Sequence, residues 1–209
     1  MKKKSAKKRN FSSFDLAGAF KELNLTRLIE WNIDAQPVAP SEFYFERLRR
    51  MQEAFDITAS ERGKEVLIDA ICEEALTHHP QIKLWKGAAI QSDDLNGTVD
   101  YVAAPNRGYL DDPLLCIVEA KKDDFEQGLA QCLVEMKACQ WRNDQVGNRV
   151  DIYGVVTNGE GWKFYKLTTT GDVHETLLHS VIELDQVLGA LNFVFAQCAK
   201  NILAFSKAA

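Results

Sequence analysis

The run Leu114-Leu-Cys-Ile-Val-Glu-Ala-Lys121 decides how the rest of the chain is read. Both of its faces are apolar until the last three residues, the pattern of a central strand covered by helices on both sides. Strand alternation places Leu115, Ile117, Glu119 and Lys121 on one face, so an acid and a base continue a row of buried apolar side chains. Charges in such a place are costly unless they are paired or bind metal. The strand before it, Thr98–Ala104, repeats the anomaly: in Val99-Asp-Tyr-Val102, Asp100 interrupts an otherwise apolar run. Two neighbouring strands each direct an acid inward, and with Lys121 these groups can converge on one point.

Working outward, a third strand is read at Lys83–Ile90, with turn-rich Ser92–Gly97 and Pro105–Gly108 separating the three. Asp124 is placed to cap a helix running to about Gln140, with Leu129, Cys132, Leu133, Met136 and Cys139 buried. Strands at Asp151–Thr157 and Trp162–Leu167 follow, joined by Asn158-Gly159, a strong hairpin signal. Upstream, a helix starts near Thr58, where Thr58 and Glu61 form a T-x-x-E capping box. Ser41 caps another helix carrying Tyr44, Leu48, Met51 and Phe55, and Phe14–Trp31 reads as one or two short helices. The chain closes on a long amphipathic helix with Leu184, Val187, Leu188, Leu191, Phe195, Cys198, Ile202 and Phe205 on one stripe. The fold class is therefore α/β: helix, three strands, helix, two strands, inside helical flanks. The divisions are a disordered basic arm at 1–10, a helical extension at 11–57, a core at 58–170 and the last helix at 171–209.

The chemistry that suits two carboxylates and an ammonium is metal-dependent phosphodiester hydrolysis. Asp100, Glu119 and a backbone carbonyl, that of Ala120, form an oxygen donor set for a hard cation such as Mg²⁺. The metal polarises phosphate and acidifies a bound water, while Lys121 orients that water or offsets developing charge. A structural ion pair between strands is the competing explanation of the same residues.

Gly97-Thr-Val-Asp100, Ile117-Val-Glu-Ala-Lys121 and Gln131 in the next helix resemble the PD-(D/E)xK nuclease superfamily, the restriction-endonuclease-like fold. Gly154-Val-Val-Thr-Asn-Gly159 with Trp162-Lys-Phe-Tyr165 is similar to the N-terminal nuclease domain of type I restriction-enzyme subunits. The resemblance covers about residues 58–168. It implies that Asp100 and Glu119 bind metal, that Lys121 serves the attacking water, and that a helix carboxylate, Glu65 in preference to Glu61, is an outer ligand. Gln131 would touch substrate or support Lys121. The pattern departs where Val99 replaces the usual Pro and where Glu135 stands in place of the Tyr of a Gln-x-x-x-Tyr motif. The implied protein is a Mg²⁺-dependent endonuclease, with Mn²⁺ substituting, acting on DNA, RNA being the other possible substrate. The rivals are a noncatalytic nucleic-acid-binding or assembly protein that kept the fold, and a subunit joined to a copy or a partner through its last helix.

Composition bounds these readings. The 209 residues, 46% hydrophobic and 26% charged, are those of a globular chain rather than a disordered one. Six basic side chains (Lys2, Lys3, Lys4, Lys7, Lys8, Arg9) and no acid occupy the first ten positions; the rest holds 19 basic against 30 acidic residues, a net −11. An acidic body argues against strong unaided DNA affinity. Lys122, Lys137, Arg142 and Arg149 are the basic side chains near the site that phosphates could meet. Trp85, Trp141 and Trp162 are candidates for stacking on bases or for packing. The five cysteines are odd in number and lack C-x-x-C spacing, which points to free thiols and a cytoplasmic setting. His78-His79 reads as a helix-end pair rather than a metal site. Val181–Phe205 is interrupted by Glu183, Asp185, Gln186, Asn192, Gln197, Lys200 and Asn201, so no membrane span is expected.

Overall fold

The computed structural model describes residues 8–57, 61–120 and 124–208, with 61, 62 and 206–208 described in backbone alone. Along the chain run β1 (Arg9–Asn10), α1 (Leu16–Glu22), β2 (Ile29–Glu30), α2 (Glu42–Ala54), α3 (Glu61–Leu76), β3 (Ile82–Gln91), β4 (Leu95–Pro105) and β5 (Cys116–Ala120). They are followed by α4 (Phe125–Gln145), β6 (Ile152–Thr157), β7 (Gly161–Leu167), β8 (Val173–Glu175), β9 (His179–Ser180) and α5 (Leu184–Ala208). The result is a mixed α/β fold with one mixed sheet and a long C-terminal helix.

Sheet order is β1-β4-β5-β6-β7-β8-β2, with β3 on β4 and β9 on β7. The hairpins β3–β4 and β6–β7 are antiparallel, whereas β5 and β6 pair in parallel and are joined across the sheet face by α4. The strand read as central is central: all five β5 residues are buried. On one face, α4 and α1 cover Val99, Val102, Ile117, Ile152 and Val156. On the other, α3 and α5 cover Tyr101, Ala103, Val118, Tyr153, Val155 and Phe164. Leu115 lies just before β5 and packs with this second group, not with Ile117 as strand alternation suggested.

Local signals act as their chemistry dictates. The Ser41 hydroxyl accepts from Tyr44 N–H at the start of α2, and the Asp124 carboxylate accepts from Gln127 N–H at the start of α4. In the β6–β7 turn, Asn158 Oδ1 accepts from the N–H groups of Glu160 and Gly161, and Gly159 takes φ 88°. The capping box Thr58–Glu61 lies outside the described residues.

The N-terminal region departs from expectation. Arg9 and Asn10 pair in parallel with Leu95 and Asn96, and Lys8 donates to Gln91 and Ser92, so the end of the basic arm is ordered; residues 1–7 lie outside the described range. Instead of an all-helical extension, Ile29–Glu30 pairs with His174–Glu175 of β8. Phe11, Phe14 and Ala19 are buried in the α4-side core and Tyr44 in the other, so this region shares both cores. At the other end, Val181–Phe205 is long and apolar enough by composition to cross a membrane despite its polar interruptions, and half of it is buried inside the fold.

Candidate active site

Asp100 sits where β4 changes face. Val99 packs toward α4 and Tyr101 toward α3, although residues two apart in a regular strand share a face. Both flanking ladders break at this point. The β3–β4 register pairs Lys86 with Tyr101 and Ala88 with Val99 but skips Gly87, which lies opposite Asp100 at φ 60°. That left-handed backbone is open to glycine without steric penalty. The β4–β5 ladder runs Ala103↔Cys116, Val102↔Ile117, Tyr101↔Val118 and then stops. One more step of that register puts Asp100 opposite Glu119. In place of the ladder bond, Asp100 Oδ2 accepts from the Ala120 N–H at 2.8 Å. The Asp100 carboxylate, one of the two acids singled out from sequence, is thereby tied to the backbone of Ala120, the neighbour of Glu119 in the chain.

Glu119 is 0% exposed and opposite Val156 of β6. Its side is that of α4. The Cys132 thiol is pushed well up, first by burial and then by the nearby Glu135 and Glu119 carboxylates. On α4, Gln131 Nε2 donates to Glu135 Oε1 at 3.1 Å, and Glu135 is also 0% exposed. Glu135 is a buried acid that sequence reasoning did not single out. It entered only as a mismatch to Tyr, yet an acid within a Cys132–Met136–Cys139 stripe was the available signal.

The helix carboxylate is placed differently. Glu65 Oε2 lies 3.9 Å from Lys86 Nζ, one turn from Asp69, which accepts from Lys86 at 2.9 Å and from the Tyr101 hydroxyl at 2.8 Å. Burial and the Asp69 bond both push the Tyr101 hydroxyl up. This Asp69–Lys86–Tyr101 group, on the α3 side, was not anticipated. Among the described residues no group of three or more His, Cys, Asp or Glu side chains could hold a metal ion, so Glu65 does not complete the Asp100–Glu119 pair. The remaining donor set of two carboxylates and the Ala120 carbonyl still suits Mg²⁺. That ion keeps several waters and takes one or two carboxylates rather than an all-protein cage. Lys121 lies outside the described residues, as does the side chain of Glu61.

The basic residues proposed for phosphate have internal partners. Lys137 Nζ bonds the Glu22 carbonyl at 2.9 Å, Arg142 Nε lies 2.6 Å from Asp112, and Arg149 donates to the Thr169 carbonyl at 3.0 Å. Lys122 lies outside the described residues. Trp162 is wholly buried, and Lys83 lies over the Trp85 ring. His79 is buried and bonds Asn192 at 2.8 Å. All five cysteines are free and buried. No protein-family model matches the chain, and no curated protein matches it.

Proposed function

We propose that the chain is a Mg²⁺-dependent endonuclease with a restriction-endonuclease-like core, hydrolysing DNA. The observation that carries this reading is the strand kink at Asp100, whose carboxylate takes the Ala120 N–H beside Glu119 where the β4–β5 ladder has stopped. The order α3, β3–β4–β5, α4, β6–β7, with β5 and β6 parallel, supports the finer fold assignment.

Bound Mg²⁺ would polarise a phosphate oxygen and supply a nucleophilic water at neutral pH. Asp100 and Glu119 would hold it, and Ala120 would lend its carbonyl. The chain's own contribution is rigidity: Asp100 is fixed by the Ala120 N–H, and Glu119 is locked in a central strand against α4. Lys121, two residues beyond Glu119 in the sequence, is the ammonium assigned to the water.

The test is incubation of purified protein with supercoiled, linear, single-stranded and four-way DNA in Mg²⁺ or Mn²⁺, beside Asp100→Asn, Glu119→Gln and Lys121→Ala. Asp100→Asn keeps an oxygen for the Ala120 N–H and removes only the charge, so it should fold normally and lose about 100-fold or more in cleavage, beyond what changes outside the ligand set cost. No cleavage of any substrate, or equal cleavage by Lys121→Ala, defeats the proposal.

A second reading follows from the internal partners of Lys137, Arg142 and Arg149 on a body of net charge −11. In it, cleavage is retained but a partner subunit supplies the grip on DNA. Weak DNA binding by the isolated chain, with cleavage only at high concentration, is its signature.

A further inference from the structure

Resting on the nuclease reading, we infer that Asp69 of α3 is a positioning residue, acting through Tyr101 to hold the strand kink that presents Asp100. Residues two apart in a regular strand share a face, yet Val99 is buried in the core on the α4 side and Tyr101 in the core on the α3 side. The strand turns over at Asp100, so whatever holds Val99 and Tyr101 on opposite faces also sets Asp100. The Val99 side chain has only apolar packing to hold it. Tyr101 carries a hydroxyl into its core, and a hydroxyl in such a place needs a partner. It donates to Asp69 Oδ1 at 2.8 Å.

The same carboxylate reaches the other strand of the hairpin. Lys86 is the β3 residue paired with Tyr101. Its ammonium bonds Asp69 Oδ1 at 3.0 Å and Oδ2 at 2.9 Å, and lies 4.9 Å from the centroid of the Tyr101 ring. One acid on α3 thus grips both members of the rung next to the break, and the following residues on the two strands are Gly87 and Asp100. Beyond the break, Ala88 and Val99 form the next rung and pack on the α4 side. The backbone between the two rungs has to twist, and Gly87 takes up the twist at φ 60°. A Cβ on Gly87 would meet nothing within 4 Å, so glycine stands there for its conformation rather than for room. On the other edge of β4 the ladder ends at Tyr101↔Val118, and Asp100 Oδ2 accepts from the Ala120 N–H at 2.8 Å. Stability alone is a weak reason for the Asp69–Lys86 pair, since Asp69 is about one-third and Lys86 about half exposed, where an ion pair contributes little. The Tyr101 bond of Asp69, by contrast, lies one residue from a metal ligand of the proposed site.

The experiment compares Tyr101→Phe, Asp69→Ala, Asp69→Asn and the double variant Asp69→Ala/Tyr101→Phe. It measures kcat and KM on supercoiled DNA with Mg²⁺, and, without metal, the Ala120 backbone amide resonance and its hydrogen exchange. Tyr101→Phe keeps the ring and loses only the hydroxyl. It is expected to lower kcat by about 10- to 100-fold with little change in KM. The Ala120 amide should shift and exchange faster, while the amides of the β5–β6 ladder keep their protection. Asp69→Ala gives the same changes, and Asp69→Asn recovers most of the loss, since its amide oxygen accepts the Tyr101 bond. The double variant loses no more than either single variant. Multiplying losses in the double variant, or a loss in Asp69→Asn equal to that in Asp69→Ala, overturns the inference. So does an Ala120 amide that stays unmoved in Tyr101→Phe, or a loss of protection spread evenly over the sheet, the mark of a merely structural role. A wild type that cleaves no DNA would overturn the nuclease reading alone, because the Ala120 amide still decides whether Asp69 and Tyr101 hold the kink.

Discussion

Replacing Gly154 by Ala tests whether α4, which carries Gln131 and Glu135, is seated as closely on the sheet as the site requires. A Cβ at this position would lie 2.5 Å from Met136 Sδ and 2.7 Å from Cys132 Sγ. Ordinary heavy-atom contact is roughly 3.5–4.0 Å, so the methyl is about 1 Å too close to two sulfurs at once. β6 cannot withdraw, because Gly154 is paired with Ile117 on one side and Tyr165 on the other. Met136 can swing its chain end aside, but the Cys132 sulfur can leave only by turning about its Cα–Cβ bond into a core that is already filled. Overpacking of this kind costs about 1–3 kcal/mol, and burial of the new methyl returns about 0.8 kcal/mol only if room is found. A net loss of about 2 kcal/mol corresponds to a melting temperature lower by about 4–8 °C in a chain of this size. Urea denaturation should show a lower midpoint at unchanged slope. Met136→Ala in the Gly154→Ala background should relieve part of the clash, giving a coupling of about 1 kcal/mol or more. Unchanged stability in Gly154→Ala, or strictly additive effects in the pair, would refute the close seating of α4.

Asn143→Ala removes Oδ1 from the Leu114 N–H and Nδ2 from the Leu114 carbonyl, bonds of 2.8 and 2.7 Å to a wholly buried residue. Two orphaned backbone groups at about 1–3 kcal/mol each predict a loss of about 2–5 kcal/mol by urea denaturation, and a loss under about 1 kcal/mol would contradict the bonding described. Glu46 is held at about 2, below its ordinary 4.5, first by the Arg49 bond and then by that of Arg50. A folded-state value below the unfolded one stabilises fully above about pH 4.5 and is lost as pH falls through about 2. Carboxyl NMR should find the low midpoint, and Arg49→Gln/Arg50→Gln should return it toward 4.5.

What could be read in the sequence followed from residues whose effect is local. Ser41 and Asp124 cap because a short acceptor before an apolar periodic run has few other uses, and Asn158-Gly159 turns because one of its residues must take positive φ. Glu119 on β5 and Asp100 on β4 were legible because alternation makes a charge in an apolar strand conspicuous. The two-residue strands at Arg9–Asn10 and Ile29–Glu30 are too short to show a period, and their partners lie at Leu95–Asn96 and His174–Glu175, far along the chain. The internal bonds of Lys137 to Glu22 and of Arg142 to Asp112 are equally nonlocal, so charges that looked available for phosphate are committed elsewhere. Glu65 satisfied helical spacing, but spacing fixes only its face of α3; Lys86 on β3 decided where its carboxylate rests. Leu115 went astray because the strand begins at Cys116, two residues later than read, so Leu115 lies before it and strand alternation does not govern its side chain.

The kink at Asp100 also sets the order in which the site can come into being. The β3–β4 hairpin closes over the short turn at residues 92–94 and needs only neighbouring sequence. The opposing wall does not: Cys116 meets Tyr153 only after α4 has crossed the sheet, a long loop closure that slows folding. A nascent chain that has reached Asp100 therefore holds one carboxylate with nothing to oppose it, and one that ends before β6 has Glu119 without its parallel neighbour. On the nuclease reading, phosphodiester cleavage is a property of the finished molecule alone, and its appearance during refolding would time the last nonlocal step.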